Sequence, residues 1–185
     1  MRIFIAIEIS DEIKDALGQI ESHLKYSGAD VKWVNPENIH LTLKFLGEID
    51  EKRCEEVKAA LDRVAGSISS FALTIKELGA FPKIEYPRVL WAGLDKGADE
   101  SKALAEKIDE ALYGIGFQKE ARPFAAHLTI GRVRSSRSKD KLKEKFASCQ
   151  VPAVSPCKIS SLILFQSTLT PKGSIYTKLH EAKLQ

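Results

Sequence analysis

The chain has 185 residues, 44% hydrophobic and 29% charged, enough to bury a sizeable core in one globular body without disulfides. Lys and Arg exceed Asp and Glu by only 28 − 25 = 3, a balance that argues neither for nor against a polyanionic partner. Cys54, Cys149 and Cys157 form no C-x-x-C pair, the apolar N-terminal run is too short for a secretory leader, and no stretch approaches the ~20 apolar residues of a membrane span. Disulfide miniproteins, membrane proteins, collagen and disordered tails are excluded, and a cytoplasmic domain is expected.

Ile3 to Ile9 is an isoleucine-rich run suited to a buried strand. Ser10 can cap a helix opened by Asp11 and Glu12, with an apolar stripe at Ile13, Ala16, Leu17, Ile20 and Leu24 and a stop near Gly28. Residues 39–45 alternate, with Ile39, Leu41, Leu43 and Phe45 on one face and His40, Thr42 and Lys44 on the other. Gly47 ends that strand, and a second helix runs through Cys54, Val57, Leu61 and Val64 to Gly66. Phe71, Leu73 and Ile75 alternate as a further strand. The plan then recurs: a strand over 89–94, a helix over 99–113 with Leu104, Ile108 and Leu112 inward, and a strand over 127–131. A basic helix over 138–147 and strands over 158–165 and 174–180 complete the chain.

His127 follows His40 by 127 − 40 = 87 positions, and the same shift lays Leu17 on Leu104 and Ile3–Glu8 on Leu90–Asp95. This reads as a duplicated module: residues 1–87, then 88–174, with a C-terminal strand extension. With no low-complexity linker between the copies, residues 1–185 are expected to form a single bilobal α+β domain. Two ordinary α+β segments falling in phase is the alternative, against which the histidine pair weighs.

That pair is His40-Leu41-Thr42-Leu43 and His127-Leu128-Thr129-Ile130. On a strand each motif sends its His and Thr to one face while the aliphatic residues anchor the other. Two such faces lining one cleft bring together two imidazoles, with unperturbed pKa near ~6.5, and two hydroxyls. One imidazole can take a proton from a nucleophile and the other give one to a leaving group, while the threonines donate to a phosphoryl oxygen. The residues alone do not say which histidine is which. No H-x-x-x-H or H-E-x-x-H spacing, P-loop or dinucleotide glycine motif is present, so neither a metal nor a cofactor is expected. His23 and His180 lack any such setting and read as surface residues.

With these motifs the chain resembles the two-histidine (2H) phosphoesterase superfamily, most closely the RNA 2′,3′-cyclic phosphodiesterases also called 2′-5′ RNA ligase-like. The resemblance rests on Arg2-Ile3-Phe4-Ile5-Ala6, Trp33-Val34, Asn38 to Gly47, Val89-Leu90-Trp91, His127 to Arg132 and Ser167-Thr168-Leu169, and spans essentially the whole chain. It implies antiparallel sheets flanking a central cleft with helices outside. It implies hydrolysis of an RNA 2′,3′-cyclic phosphate end to a 2′-phosphate, with His40 as proton donor, His127 as proton acceptor, and Thr42 and Thr129 on the phosphate. It also implies a phosphate-binding arginine at Arg132. Strand parity points residue 132 away from the cleft, but Gly131 could mark a bulge that re-aims it. Lys44 has cleft parity and could add positive charge or simply be solvated. Phe4 and Phe124 could stack on a base or pack in the core.

Arg132, Arg134, Arg137, Lys139, Lys141, Lys143 and Lys145 are opposed only by Asp140 and Glu144. The run could track an RNA backbone or be a solvated helix face. The expected partner is RNA with a 2′,3′-cyclic phosphate end, tRNA fragments among the candidates, with no membrane and no requirement for a dimer. A small cyclic nucleotide substrate, 2′-5′ ligation by the reverse reaction and a non-catalytic RNA-end-binding module are the competing readings.

Overall fold

Ile3, Phe4, Ile5, Ala6 and Ile7 are all buried, so the strand they form is covered on both faces, as its unbroken apolar run requires. The computed structural model describes every residue from Met1 to Gln185. This strand, β1 (Arg2–Glu8), leads into α1 (Asp11–Lys25), where the Ser10 hydroxyl accepts from the Ile13 amide as N-cap. A short strand β2 (Val31–Trp33) and one 3-10 turn (Pro36–Asn38) precede β3 (His40–Glu48), α2 (Glu51–Ala65), β4 (Phe71–Leu73) and β5 (Ile75–Phe81). The remainder is β6 (Val89–Leu94), α3 (Ala98–Tyr113), β7 (His127–Val133), α4 (Lys139–Ser148), β8 (Cys157–Ile159), β9 (Ser161–Thr170) and β10 (Gly173–Lys183). The expected strand over 71–76 divides at Thr74, whose amide and carbonyl bond Lys96 and Asp95 instead of continuing one ladder.

The strands form two four-stranded antiparallel sheets, ordered β10-β9-β1-β3 and β2-β7-β6-β5, and a two-stranded sheet β4-β8. The late strand β9 completes the sheet of β1 and β3, while β5 completes that of β6 and β7, so the two halves of the chain are interleaved. Ile3, Ile5 and Ile7 join the apolar stripes of the helices in one continuous core. On the opposite face of the same sheet, Phe4, Ala6, Ile163 and Phe165 make a smaller cluster against Tyr176. Leu41, Leu128 and Ile130 are fully buried, each contributing about 1.5–3 kcal/mol relative to exposure, and they fix the facing of the histidine strands.

Both histidine strands carry a bulge at the same place. Ala6 faces Thr42 and Ile5 faces Lys44, leaving Leu43 as the extra residue; Trp91 faces Thr129 and Leu90 faces Gly131, leaving Ile130. An extra residue reverses parity beyond it, so the regular alternation expected over 39–45 stops at Leu43. Lys44 turns inward at 4% exposure while Phe45 is 62% exposed. The pairings also correct the shift for the first strand: Glu8 faces His40 and Gly93 faces His127. Glu8 therefore corresponds to Gly93 (93 − 8 = 85), not to Asp95 as a uniform shift of 87 would have it.

Candidate active site

His40 and His127 each open a strand, and each is held the same way. Nδ1 lies 2.8 Å from the Asn38 carbonyl oxygen in one and 2.6 Å from the Ala125 carbonyl oxygen in the other. A carbonyl oxygen only accepts, so Nδ1 donates and Nε2 is the free nitrogen of the neutral ring. Aromatic rings fix the imidazole planes. Phe4 stacks on His40 at 4.9 Å between centroids and Tyr176 meets it edge-on at 5.2 Å; Phe81 meets His127 edge-on at 5.0 Å. Trp91, 6.4 Å from His127, lies over Gly79, where a Cβ would fall 2.1 Å from the indole.

Burial is the main influence on both imidazoles and pulls their pKa values below the usual histidine range. The backbone carbonyl on Nδ1 offsets this in each case. The remaining influence differs: the charge of Glu8 pushes His40 up, whereas Arg132 pushes His127 further down.

The two histidines, Thr42, Thr129, Arg132 and Phe124 line one cavity of about 810 Å³, within the range of small-ligand sites. Arg132 reaches it because the bulge at Ile130 returns position 132 to the face of Thr129. Gly131 has a further reason to be glycine: a Cβ there would lie 2.7 Å from Val31 Cγ1 and 3.2 Å from the Trp33 ring, so its absence lets β2 close over β7.

Lys44 and Phe4 both line the cavity, each held by neighbours. Lys44 borders the cavity but is no free cation: Nζ lies 2.5 Å from Asp109 Oδ1, 2.9 Å from the Gln118 carbonyl oxygen and 3.5 Å from Glu120 Oε1. The bulge at Leu43 put it on the helix side. Phe4 also lines the cavity but is 2% exposed, and its ring stacks on His40 and on Phe165, so it supports the imidazole. Phe124 is half-buried against the main core while also lining the cavity.

Several lining residues fall outside the sequence expectations: Phe45, Tyr176, and two exposed arginines without ion pairs, Arg2 and Arg122. A signal for Phe45 existed. The bulge inferred from Gly131 applies equally 87 positions earlier, where it exchanges Lys44 for Phe45. Of the basic run after the second motif only Arg132 lines the cavity. His23 bonds the Lys145 carbonyl oxygen and the Ser148 hydroxyl, and His180 bonds Asp62, so both are half-buried structural links outside the cleft. No three His, Cys, Asp or Glu side chains form a metal-ligating group, and no helix is long and apolar enough to cross a membrane.

An α+β scaffold that turns two His-x-Thr strands toward one arginine-lined cleft is equipped to hold a phosphate ester and move protons around it. The family model for LigT-like phosphoesterases matches residues 7–91 and 93–176, and the chain belongs to that family. It is 34% identical to a protein of Methanothermobacter thermautotrophicus, over 100% of this chain and 99% of that one. It is 37% identical to one of Methanocaldococcus jannaschii, over 98% and 99% respectively. Both relatives are named RNA 2′,3′-cyclic phosphodiesterase. Among solved structures, TT0787 of Thermus thermophilus superposes with a TM-score of 0.80 at 26% identity, covering 100% of this chain and 98% of the other.

Proposed function

We propose that this protein hydrolyses RNA 2′,3′-cyclic phosphate ends to 2′-phosphates by metal-independent acid–base catalysis. The observation that carries the reading is the pair of imidazoles with matching Nδ1 anchors lining one cavity. His127 Nε2 takes a proton from a water that attacks phosphorus. Thr42, Thr129 and Arg132 hold the non-bridging oxygens as their charge grows. His40 Nε2 gives its proton to the departing 3′-oxygen, leaving a 2′-phosphate and a 3′-hydroxyl. The bound phosphate's negative charge favours the imidazolium of His40 that this step needs. Arg2, Phe45, Arg122 and Leu169 line the cavity while exposed, so water enters and hydrolysis, not 2′-5′ ligation, is the net direction. The open ring of Phe45 is the aromatic surface for an RNA base, and Arg2 and Arg122 add charge for its backbone.

We also read the chain as one bilobal domain built from a duplicated module, 1–87 and 88–174. Support comes from the recurrent element order, the matching bulges and the two consecutive matches to the family model. The functional reading is tested on a short RNA ending in a 2′,3′-cyclic phosphate, with chelator present and the product end resolved. A 2′-phosphate is expected. His40→Ala and His127→Ala should each lower turnover by about 10²–10⁴, with the double variant little worse than the poorer single. Loss of activity with chelator, near-full turnover in either single variant, or salt-sensitive binding without turnover would refute the reading.

A further inference from the structure

The two histidine strands can be compared residue by residue through their registers. Both imidazoles open a strand, donate from Nδ1 to a carbonyl two residues back, and precede a threonine and a bulge. They differ in charge. The residue facing His40 across the ladder is Glu8, whereas the one facing His127 is Gly93, which has no side chain. Beyond the bulge, His127's own strand carries Arg132 where that of His40 carries Phe45. One imidazole thus has a carboxylate beside it and the other a guanidinium.

We propose that Glu8 is the positioning residue that keeps His40 the proton donor, its carboxylate favouring the imidazolium while Arg132 and the bare Gly93 leave His127 neutral. The proposal rests on the acid–base reading above and gives it a basis in this chain's own residues. Environments that push two titrating groups apart are what separate an acid from a base within one site.

Glu8 acts among several other charges around His40. A small cavity of about 140 Å³ behind the ring is lined by Glu8, by Lys14 on α1, by Glu37 on the 3-10 turn and by Tyr176 and Lys178 on β10. Lys14 pairs with Glu37 at 3.6 Å. Lys178 Nζ lies 2.6 Å from Glu8 Oε2, and with the two side chains 57% and 43% exposed water weakens the fields of both; Glu8 differs in holding the ladder position opposite His40. The packed residue of β9, Phe165, is uncharged. On the main-cavity side, Lys44 is tied to Asp109 and Glu120, Glu106 lies on α3, and Arg2, Arg122 and Arg132 oppose an imidazolium. Glu8 is therefore the carboxylate set directly opposite His40 in the ladder.

The test is a proton NMR titration of the imidazole signals, assigned with His40→Gln and His127→Gln, in the wild-type, Glu8→Gln and Lys178→Gln proteins, alongside pH–rate profiles. Glu8→Gln should lower the His40 midpoint by about half a unit, the scale of one screened charge at cross-strand distance, and leave His127 in place. The alkaline limb of turnover should move down with it, so activity is lost on that side of the profile, and Glu8→Asp should restore most of it. Lys178→Gln should move His40 the opposite way. A His40 midpoint indifferent to both variants, the two histidines moving together, or a His40 shift that the rate limb does not follow would each overturn the proposal. Turnover surviving His40→Gln would instead show that the acid–base reading had failed, and the proposal with it.

Discussion

Asp109→Ala should destabilise the protein far more than Lys44→Met, and neither effect should originate at the phosphate. Lys44 is 4% exposed, with its ammonium 2.5 Å from Asp109 and 2.9 Å from the Gln118 carbonyl oxygen. Breaking a buried pair by removing one partner costs about 3–5 kcal/mol, because the survivor is left charged and poorly solvated. Glu120 can recover part of this, since it lies 3.5 Å away and is 54% exposed, so about 2–3 kcal/mol is expected. Asp109 also accepts from the Glu120 amide at 3.1 and 3.3 Å, so its loss loosens the segment that carries Arg122 and Phe124. Lys44→Met removes the desolvated charge and keeps an unbranched apolar stem. Asp109, whose side chain is 19% exposed, stays hydrated and keeps the Glu120 amide, and a cost below about 1 kcal/mol follows. Urea unfolding of the two single variants and the double, with kcat/KM on cyclic-phosphate RNA, measures both quantities. The double variant should recover most of the stability lost in Asp109→Ala, and Lys44→Met should keep kcat/KM within about threefold. A tenfold fall in kcat/KM for Lys44→Met at unchanged stability would show that Lys44 serves the substrate after all.

Phe45→Ala should raise KM for RNA about 5- to 100-fold with little change in kcat, the scale of losing one base–aromatic stack. A ring that is 62% exposed contributes little to stability, and Phe45→Trp should restore KM; unchanged kinetics in Phe45→Ala would remove it from the site. Burial pushes the Glu21 carboxyl up from 4.5 to about 7, with Lys25 partly opposing. The folded value lies above the unfolded one, so Glu21's contribution is fully present below pH 4.5 and is lost as the pH rises through about 7. Glu21→Gln should therefore be more stable than the wild type at pH 8 by about 1–3 kcal/mol and near neutral in effect at pH 5. Thermal unfolding at the two pH values checks this, and an equal effect at both would contradict it.

Much of this molecule is legible where burial is simple. The run Val89–Leu94 is apolar because every residue of the strand is buried or half-buried, and the stripe Ile13–Leu24 has helical spacing because one side of α1 enters the core. What escapes is structure owed to a neighbour. Val31–Trp33 carries no pattern long enough to read, and it becomes a strand only because β7 lies beside it with a glycine at 131. The same applies to the parity reversal at Leu43. Gly131 announces the bulge in the second histidine strand, while the matching residue in the first is a lysine, whose polarity suggests solvent. Its actual partner, Asp109, is 65 residues away. Glu8 ends an apolar run as any exposed acid might. Its relation to His40 exists only in the antiparallel register, which no local spacing encodes.

The bulges also bear on how the proposed reaction selects one ester oxygen. A regular strand would present its histidine, its threonine and the residue after next, which would place Lys44 in the first half and Gly131 in the second. Adding one residue substitutes Phe45 and Arg132. Two equivalent histidines facing a cyclic phosphate would have no means of distinguishing its 2′- and 3′-oxygens, because turning the ligand over would exchange the acid and the base. An aromatic ring on the strand of His40 and a guanidinium on the strand of His127 would remove that equivalence, giving the base a surface on the Phe45 strand and the anionic oxygens an arginine on the other. With the nucleoside held at the Phe45 end, the proposed in-line displacement would set the entering water opposite the departing 3′-oxygen and leave the retained 2′-oxygen equatorial. On the proposed reaction, regiochemistry would follow from the departures from symmetry in the strands, and the resolved product end would be a direct readout of Phe45 and Arg132 as well as of the histidines.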